Sequence, residues 1–322
     1  MSDSPLIVPD SLKGERADRV LVELFPDYSR TQLTHWLKTG VITVNGTTLK
    51  PKTRLHGGEA IQIHGPMEAP STSEHIEAEP IALDIIYEDD TLMVINKPAG
   101  LVVHPGAGNA GGTLINGLVH HDANLKALPR AGIVHRLDKD TTGLLLIAKT
   151  LEALTALSKQ MQAREIDRRY IALAHGSFIS GGKIITGFGR HPRNRLKMAV
   201  TPGGREAITH YSIRKKYPAL PATLLDIKLM TGRTHQIRVH MAHKHHAIIG
   251  DQLYSGRARH PKNLDDTSKA LLLGFKRQAL HAASLSFTHP VTQETLTLEA
   301  KLPDDFKTLL DALDRNELNQ AP

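Results

Sequence analysis

The sequence predicts an α+β protein in two parts, a small N-terminal α/β module and a larger domain built on a mixed, largely antiparallel sheet. Three observations carry this prediction. Apolar residues recur at helical spacing between Arg16 and Leu37, then give way to short strand-like runs beside the turn dipeptide Asn45-Gly46. The stretch 65–80, GPMEAPSTSEHIEAEP, holds three prolines and four glutamates and breaks the apolar periodicity, as a linker does. Beyond it, apolar runs of strand length are separated by polar turns, with helical segments between some of them.

Taken in order, residues 1–14 are polar with two prolines and read as a loose arm or edge segment. The small domain is set at 15–64. Ala17, Val20, Leu21 and Leu24 make one apolar stripe of a first helix. Ser29 and Gln32 form a capping-box pair ahead of Leu33, Trp36 and Leu37 of a second helix, and Gly40 supplies its left-handed stop. Val41 to Val44 and a run ending at Ala60 to Ile63 read as paired strands. The larger domain is set at 81–312, followed by a frayed tail, 313–322. Leu83 to Tyr87 and Thr91 to Asn96 form a hairpin around Glu88-Asp89-Asp90, and Thr113 to His120 and Leu151 to Arg164 are helices. Tyr170 to Ala174, Leu224 to Met230 and Ala279 to Phe287 are further strands.

Composition narrows the chemistry. With 40 Lys+Arg against 33 Asp+Glu the formal charge is +7, which favours an anionic partner. The chain of 322 residues has no cysteine, so disulfides, thiolate catalysis, Cys-bound zinc and iron–sulfur clusters are excluded. The N-terminus lacks a basic and apolar leader, and no apolar run approaches the ~18 residues that span a bilayer. A soluble cytoplasmic protein is expected.

The chemistry concentrates between Gly132 and Lys149. A polar cluster, His135 to Gly143, lies between apolar runs Ala131 to Val134 and Leu144 to Ala148 that read as short buried strands, and Asp138 is its candidate reacting group. Asp138, Thr141, Thr142 and Gly143 are also good turn formers, and spacing alone leans slightly toward a structural turn. Elsewhere, Gly106 to Gly111 matches GxGxxG, but Pro105 separates it from the preceding strand and no acidic residue ends a second strand about twenty residues on, which argues against a dinucleotide site. His235, His240, His243, His245 and His246 crowd one segment without the i,i+4 spacing of a helical metal site. Asp138 and Asp140 stand too close in sequence to flank a glycoside at the ~5 to 9 Å such pairs need. Between Lys183 and Arg205 lie six cations and no acid; a solvated loop could hold them, but an unbalanced +6 with prolines and glycines suits an arm that grips phosphates better.

The wording HRLDKDTTG resembles the signature of the RluA-type pseudouridine synthase family, whose aspartate is catalytic. Asn96-Lys97-Pro98, Arg169-Tyr170-Ile171-Ala172 and Thr231 to His240 resemble three further motifs of that family, in the family's order. The phrases NKPAGLVVHPGAGN and PRAGIVHRLDKDTTGL are similar to members that act on large-subunit, 23S-type ribosomal RNA. The resemblance implies a pseudouridine synthase fold and isomerisation of uridine with no cofactor and no metal. It gives Asp138 the catalytic role and Tyr170 the stacking on uracil and removal of the C5 proton. Arg238 becomes the partner of Asp138; a guanidinium ~4 Å from a carboxylate offsets desolvation by ~4 kcal/mol at an effective dielectric near 20. Arg136 is implied to fill the gap left by the flipped base. Leu229, Arg233 and the basic stretch through Arg190, Arg193, Arg195 and Lys197 are expected substrate contacts. The phrases SRTQLTHWLKTGVITVNG and GGEAIQI resemble an S4-type RNA-binding domain, carrying Arg16, Arg19, Arg30, Lys38, Lys50, Lys52 and Arg54. The expected partner is ribosomal RNA, free or within a large-subunit assembly intermediate. A non-catalytic RNA-binding protein is the remaining alternative, and it would need neither Asp138 nor Tyr170.

Overall fold

Residues 5–25, 28, 30–64, 76–105, 109, 111–194, 196–256, 270 and 272–320 are described by the computed structural model. The chain divides into two units, Met1–Glu74 and His75–Pro322. In the first, α1 (Ala17–Leu24) and α2 (Arg30–Thr39) pack on a three-stranded sheet of order β1 (Leu6–Ile7), β3 (Ala60–Ile63), β2 (Ile42–Val44). Val20, Leu21, Leu33, Trp36 and Leu37 meet Ile42 and Ile61 in its core, so the helical stripes read from the sequence are the buried ones. The N-terminal segment takes the edge position: β1 pairs with β3, and Val8 and Leu12 are buried in the same core. Asn45 and Gly46 are both left-handed, at φ 51 and 74°, as a tight turn requires. Gly40 also has positive φ, at 83°, while Ser29 of the expected capping pair lies outside the described residues.

The second unit contains β4 (Ile85–Glu88), β5 (Leu92–Lys97), α3 (Leu114–His121), β6 (Thr142–Ala148), α4 (Leu151–Ala163), β7 (Asp167–His175), β8 (Gly182–Arg190) and β9 (Met198–Val200). After these come β10 (Arg205–Tyr217), β11 (Ala222–Leu229), α5 (Gln236–His243), β12 (Leu280–Thr288), β13 (Thr295–Glu299) and α6 (Asp304–Gln320). The strands form one ten-stranded sheet of order β4-β5-β6-β12-β7-β11-β10-β8-β9, with β13 also on β12. Among the described residues the pairings within it are antiparallel except β6 on β12, so the sheet is mixed and largely antiparallel.

Strand periodicity explains why its centre is covered on both faces. Met93, Ile95, Leu145 and Ile147 point into one core with α3, α5 and α6, whereas Leu92, Val94, Leu144 and Leu146 point into another with Ala153 and Leu157 of α4. Each such side chain contributes about 1.5–3 kcal/mol when fully buried. β6 is buried along its whole length, a suitable anchor for the loop before it.

Two expectations need correction. Ala131 to Val134 is no strand: Arg130, Ala131 and Gly132 have φ of 54, 50 and 75°, which curls the chain, and only Ile133 bridges to Ile147. A Cβ on Gly132 would lie 1.8 Å from the Ala148 carbonyl oxygen, so this crossing needs glycine. The basic stretch 183–205, read as a phosphate-gripping arm, is a ribbon in which β8 pairs with both β9 and β10. The segment 313–320 is no frayed tail, because α6 runs to Gln320 with Phe306, Leu309 and Leu313 buried. Of the linker, 65–75 lie outside the described residues; Ile76 packs on the large core, and Glu79 accepts from the Gly112 amide at 2.9 Å. The end of the glycine-rich stretch is thus held by a carboxylate of the same chain.

Candidate active site

Asp138 sits in the loop 135–141 that leads into β6. Lys97 Nζ donates to Lys139 O at 2.8 Å, Arg277 Nη1 donates to Asp140 O at 3.3 Å, and Thr141 N closes a turn on Asp138 O at 3.1 Å. The loop's carbonyls are therefore held from several sides. Lys97 is fully buried and also donates to Pro98 O and Leu101 O, at 2.7 and 3.0 Å. Burial pulls its ammonium down to about 8, even with Asp140 and Asp138 nearby. Thr142 Oγ1 bonds His281 Nδ1 at 2.8 Å, and Gly143, at φ 110°, lets the backbone come so near β12 that a Cβ would sit 2.2 Å from Ala282 O.

The Asp138 side chain, 14% exposed, faces a guanidinium: Arg238 Nη1 donates to its Oδ2 at 2.9 Å, and His235 Nε2 stands 3.9 Å from Oδ1. Arg238 projects from α5 and is itself held from the other side. Its Nε and Nη2 donate to the two oxygens of Asp251, at 2.7 and 3.0 Å, a bidentate fork that fixes the plane of the group. Asp251 is fixed in turn by the amides of Leu253 and Tyr254, at 2.9 and 3.1 Å. The Tyr254 ring lies 5.1 Å from the Arg238 guanidinium, and its hydroxyl bonds His235 Nδ1 and accepts from Met198 N of β9, both at 2.8 Å. Burial opposes the Arg238 charge, but Asp251 and Asp138 outweigh it and raise its pKa. Burial lowers His235 despite Asp138, so the ring is neutral near pH 7.

These groups open onto a cleft of about 910 Å³. Its charged lining is one-sided: Arg130, Arg136, Arg164, Arg168, Arg233 and Arg238 stand against the carboxylate of Asp138. Tyr170 of β7 lines the same space, almost buried, and burial raises its phenol. His104 and His135 complete one wall as neutral rings, pulled to about 4 and about 3 by burial first and then by arginines nearby, Arg136 for His104 and Arg168 for His135.

Of the residues singled out from sequence, Asp138, Tyr170, Arg238, Arg136, Leu229 and Arg233 meet in this cleft. Arg190, Arg193 and Lys197 do not line it; they lie on the ribbon, where Lys197 stands 5.9 Å from the Tyr254 ring. Arg195 lies outside the described residues. The histidines of 235–246 diverge: His240 bonds Thr186 and Thr209, and His246 bonds His175 O. Among the described residues no group of three or more His, Asp or Glu is placed to hold a metal. Sequence reasoning missed Asp251, Tyr254 and Arg168. The one signal for Asp251 is a lone acid after the apolar pair Ile248-Ile249.

The model of the RNA pseudouridylate synthase family matches residues 91–243, and that of the S4 domain matches 15–61. The ribosomal large subunit pseudouridine synthase D of Xanthomonas campestris pv. campestris is 50% identical over 315 residues, 98% of this chain and 94% of that protein. The chain belongs to the RNA pseudouridylate synthase family. The protein of the same description from Xylella fastidiosa is 49% identical over 306 residues, 95% of this chain and 91% of its own. Among solved structures, human RNA pseudouridylate synthase domain containing 4 superposes with a TM-score of 0.55 at 26% identity, covering 71% of this chain and 92% of its own. The synthase is therefore an isomerase of uridine in RNA, and the hydrolase and binding-only alternatives fall away.

Proposed function

We propose that this synthase converts uridines of large-subunit ribosomal RNA into pseudouridines, with Asp138 as the group that acts at the ribose. The observation that carries this reading is the 2.9 Å contact between Asp138 and Arg238 in a cleft whose other charged lining residues are arginines. The relatives named ribosomal large subunit pseudouridine synthase D support the RNA class, and the cytoplasm is where such RNA is met.

The reaction balances without an external reagent. The N1–C1′ bond breaks, the uracil turns, the C5–C1′ bond forms, C5 loses its proton and N1 gains one. Asp138, held against Arg238, works as nucleophile or as base at C2′. Tyr170 stacks on the flipped ring and relays the C5 proton; since burial keeps the phenol protonated, its own proton passes on to N1 of the turned ring as it takes the one from C5. Arg136 is exposed at the cleft and fills the gap left in the RNA, while Leu229 and Arg233 contact the nucleotide. The ribbon bearing Arg190, Arg193, Arg195 and Lys197 and the S4 domain hold flanking phosphates, which positions RNA without reading sequence.

The test is tritium release from C5-tritiated uridine in ribosomal RNA. The wild-type protein should release it, and Asp138→Asn should be slower by about 10³-fold or more while binding RNA nearly as well. Substantial turnover by Asp138→Asn would sink the assignment.

A further inference from the structure

Arg168 has no assigned task. It is 6% exposed, its Nε has no hydrogen-bond partner, and it forms no salt bridge among the described residues. An arginine cannot shed its charge, so a buried, unpaired guanidinium opposes folding unless a ligand completes it. The side chain is nonetheless kept: it lies along Gly232, where a Cβ would fall 2.6 Å from Nη1, and it lines the cleft that holds Asp138.

Position decides what the ligand is. Arg168 and Tyr170 lie two apart on β7, so they share a face about 6.7 Å apart, while Arg169 between them is exposed and pairs with Asp167. Tyr170 interacts with both Arg168 and Asp138. The face of β7 that would carry a uracil stacked on Tyr170 continues to Arg168, and both side chains line the cleft that holds Asp138. Backbone phosphates are better met by Arg130 and Arg136, which line the cleft and are exposed, whereas Arg164 is already paired with Glu206. We infer that Arg168 is a substrate-binding residue that donates to O4 of the flipped uracil, the carbonyl across the ring from the glycosidic N1. The inference rests on the reading of Asp138 and Tyr170 above and adds base selectivity to it. A guanidinium only donates, uracil offers a carbonyl acceptor at that position, and cytosine replaces it with an amino donor. Donor facing donor rejects cytidine.

The experiment uses the full chain and ribosomal RNA tritiated at C5 of uridine. Arg168→Met should lower kcat/KM about 10- to 100-fold, the worth of one charge-assisted hydrogen bond, with Arg168→Lys in between. Its thermal midpoint should hold or rise, because an unpaired buried charge is removed. The slope of log K against log salt should stay unchanged. Flattening by ~0.7 to 0.9 would mean a phosphate contact instead and overturn the assignment. A second readout does not need turnover. In the Asp138→Asn protein, RNA with cytidine at the modified position should bind more weakly than RNA with uridine, and adding Arg168→Met should make the two affinities converge. Persistent discrimination in the double variant overturns the inference. Absence of tritium release by the wild-type protein would defeat the proposed function; normal release by Arg168→Met would defeat only the role of Arg168.

Discussion

The S4 domain and the cleft around Asp138 use arginine in opposite ways. In the S4 domain Arg16 and Arg30 both close on the buried carboxylate of Asp18, and Arg19 closes on Glu15 at 3.2 Å. Three of its seven cations are thus neutralised inside the domain. In the cleft, Arg130, Arg136 and Arg168 have no ion pair among the described residues, while Arg238 carries two carboxylates. A count of charges in the sequence measures neither region; what matters is whether each guanidinium has already found its anion.

The largest way to test this contrast is to break the doubly paired arginine. Arg238→Met should lower kcat by about 10²- to 10³-fold, since it leaves Asp138 and Asp251 facing each other without their shared cation. Asp251→Asn keeps Arg238 charged but weakens the fork that aims it, so a loss nearer 10-fold is expected, visible in kcat more than in KM. Equal losses in the two variants would show that Asp251 does more than orient.

Stability against pH sharpens the comparison next. His104, His135 and His240 have folded values near 4, 3 and 4 against an ordinary 6.5, because burial disfavours their charged forms. The unfolded chain binds the extra protons, so stability is full above about pH 6.5 and is lost as the pH falls toward 4 and then 3. Denaturant midpoints between pH 7 and 4 should fall steadily, and Arg168→Met should soften the part due to His135, whose second cause is Arg168. A flat profile would mean these rings are open to water.

The smallest effects belong to the S4 domain. Replacing exposed Lys38, Lys50 or Lys52 by alanine should flatten the salt dependence of RNA binding by up to ~0.7 to 0.9 for each phosphate no longer neutralised. Arg30→Ala should leave that slope alone and cost a few tenths to about 1 kcal/mol of stability, because its charge is half exposed and already paired with Asp18.

Much of this architecture can be read from apolar spacing. The stripes of α1, α2 and α4, and the strands β5, β6, β11 and β12, fall where periodicity puts them, because burial on one or two faces enforces it. The four ordered motifs single out Asp138, Tyr170 and Arg238. What stays hidden has physical causes. Arg130 and Ala131 adopt left-handed backbone without the glycine that would announce it, so a turn reads as a strand. The ribbon β8–β9 buries only Ile184 and Phe188 among exposed and half-buried residues and many cations, so its apolar alternation is too weak to announce strands. α6 places Phe306, Leu309 and Leu313 in the core but is otherwise polar, and so its end reads as a tail. Arg168 sits in the run Asp167-Arg168-Arg169, where strand alternation buries the middle charge and exposes its neighbour.

The parallel contact between β6 and β12 governs when the synthase can become active during its own synthesis. Thr142 and His281, bonded beside the reactive loop, are 139 residues apart in the chain, and Asp138 and Arg238 are 100 apart. Contacts of such separation form late, since the intervening chain must be ordered before they can stabilise anything. A nascent chain that has emerged only as far as α5 carries every recognisable motif, yet lacks the strand that secures the loop bearing Asp138. Catalytic competence therefore arrives near the end of translation, and a chain cut short before β12 should be unable to act on the RNA around it.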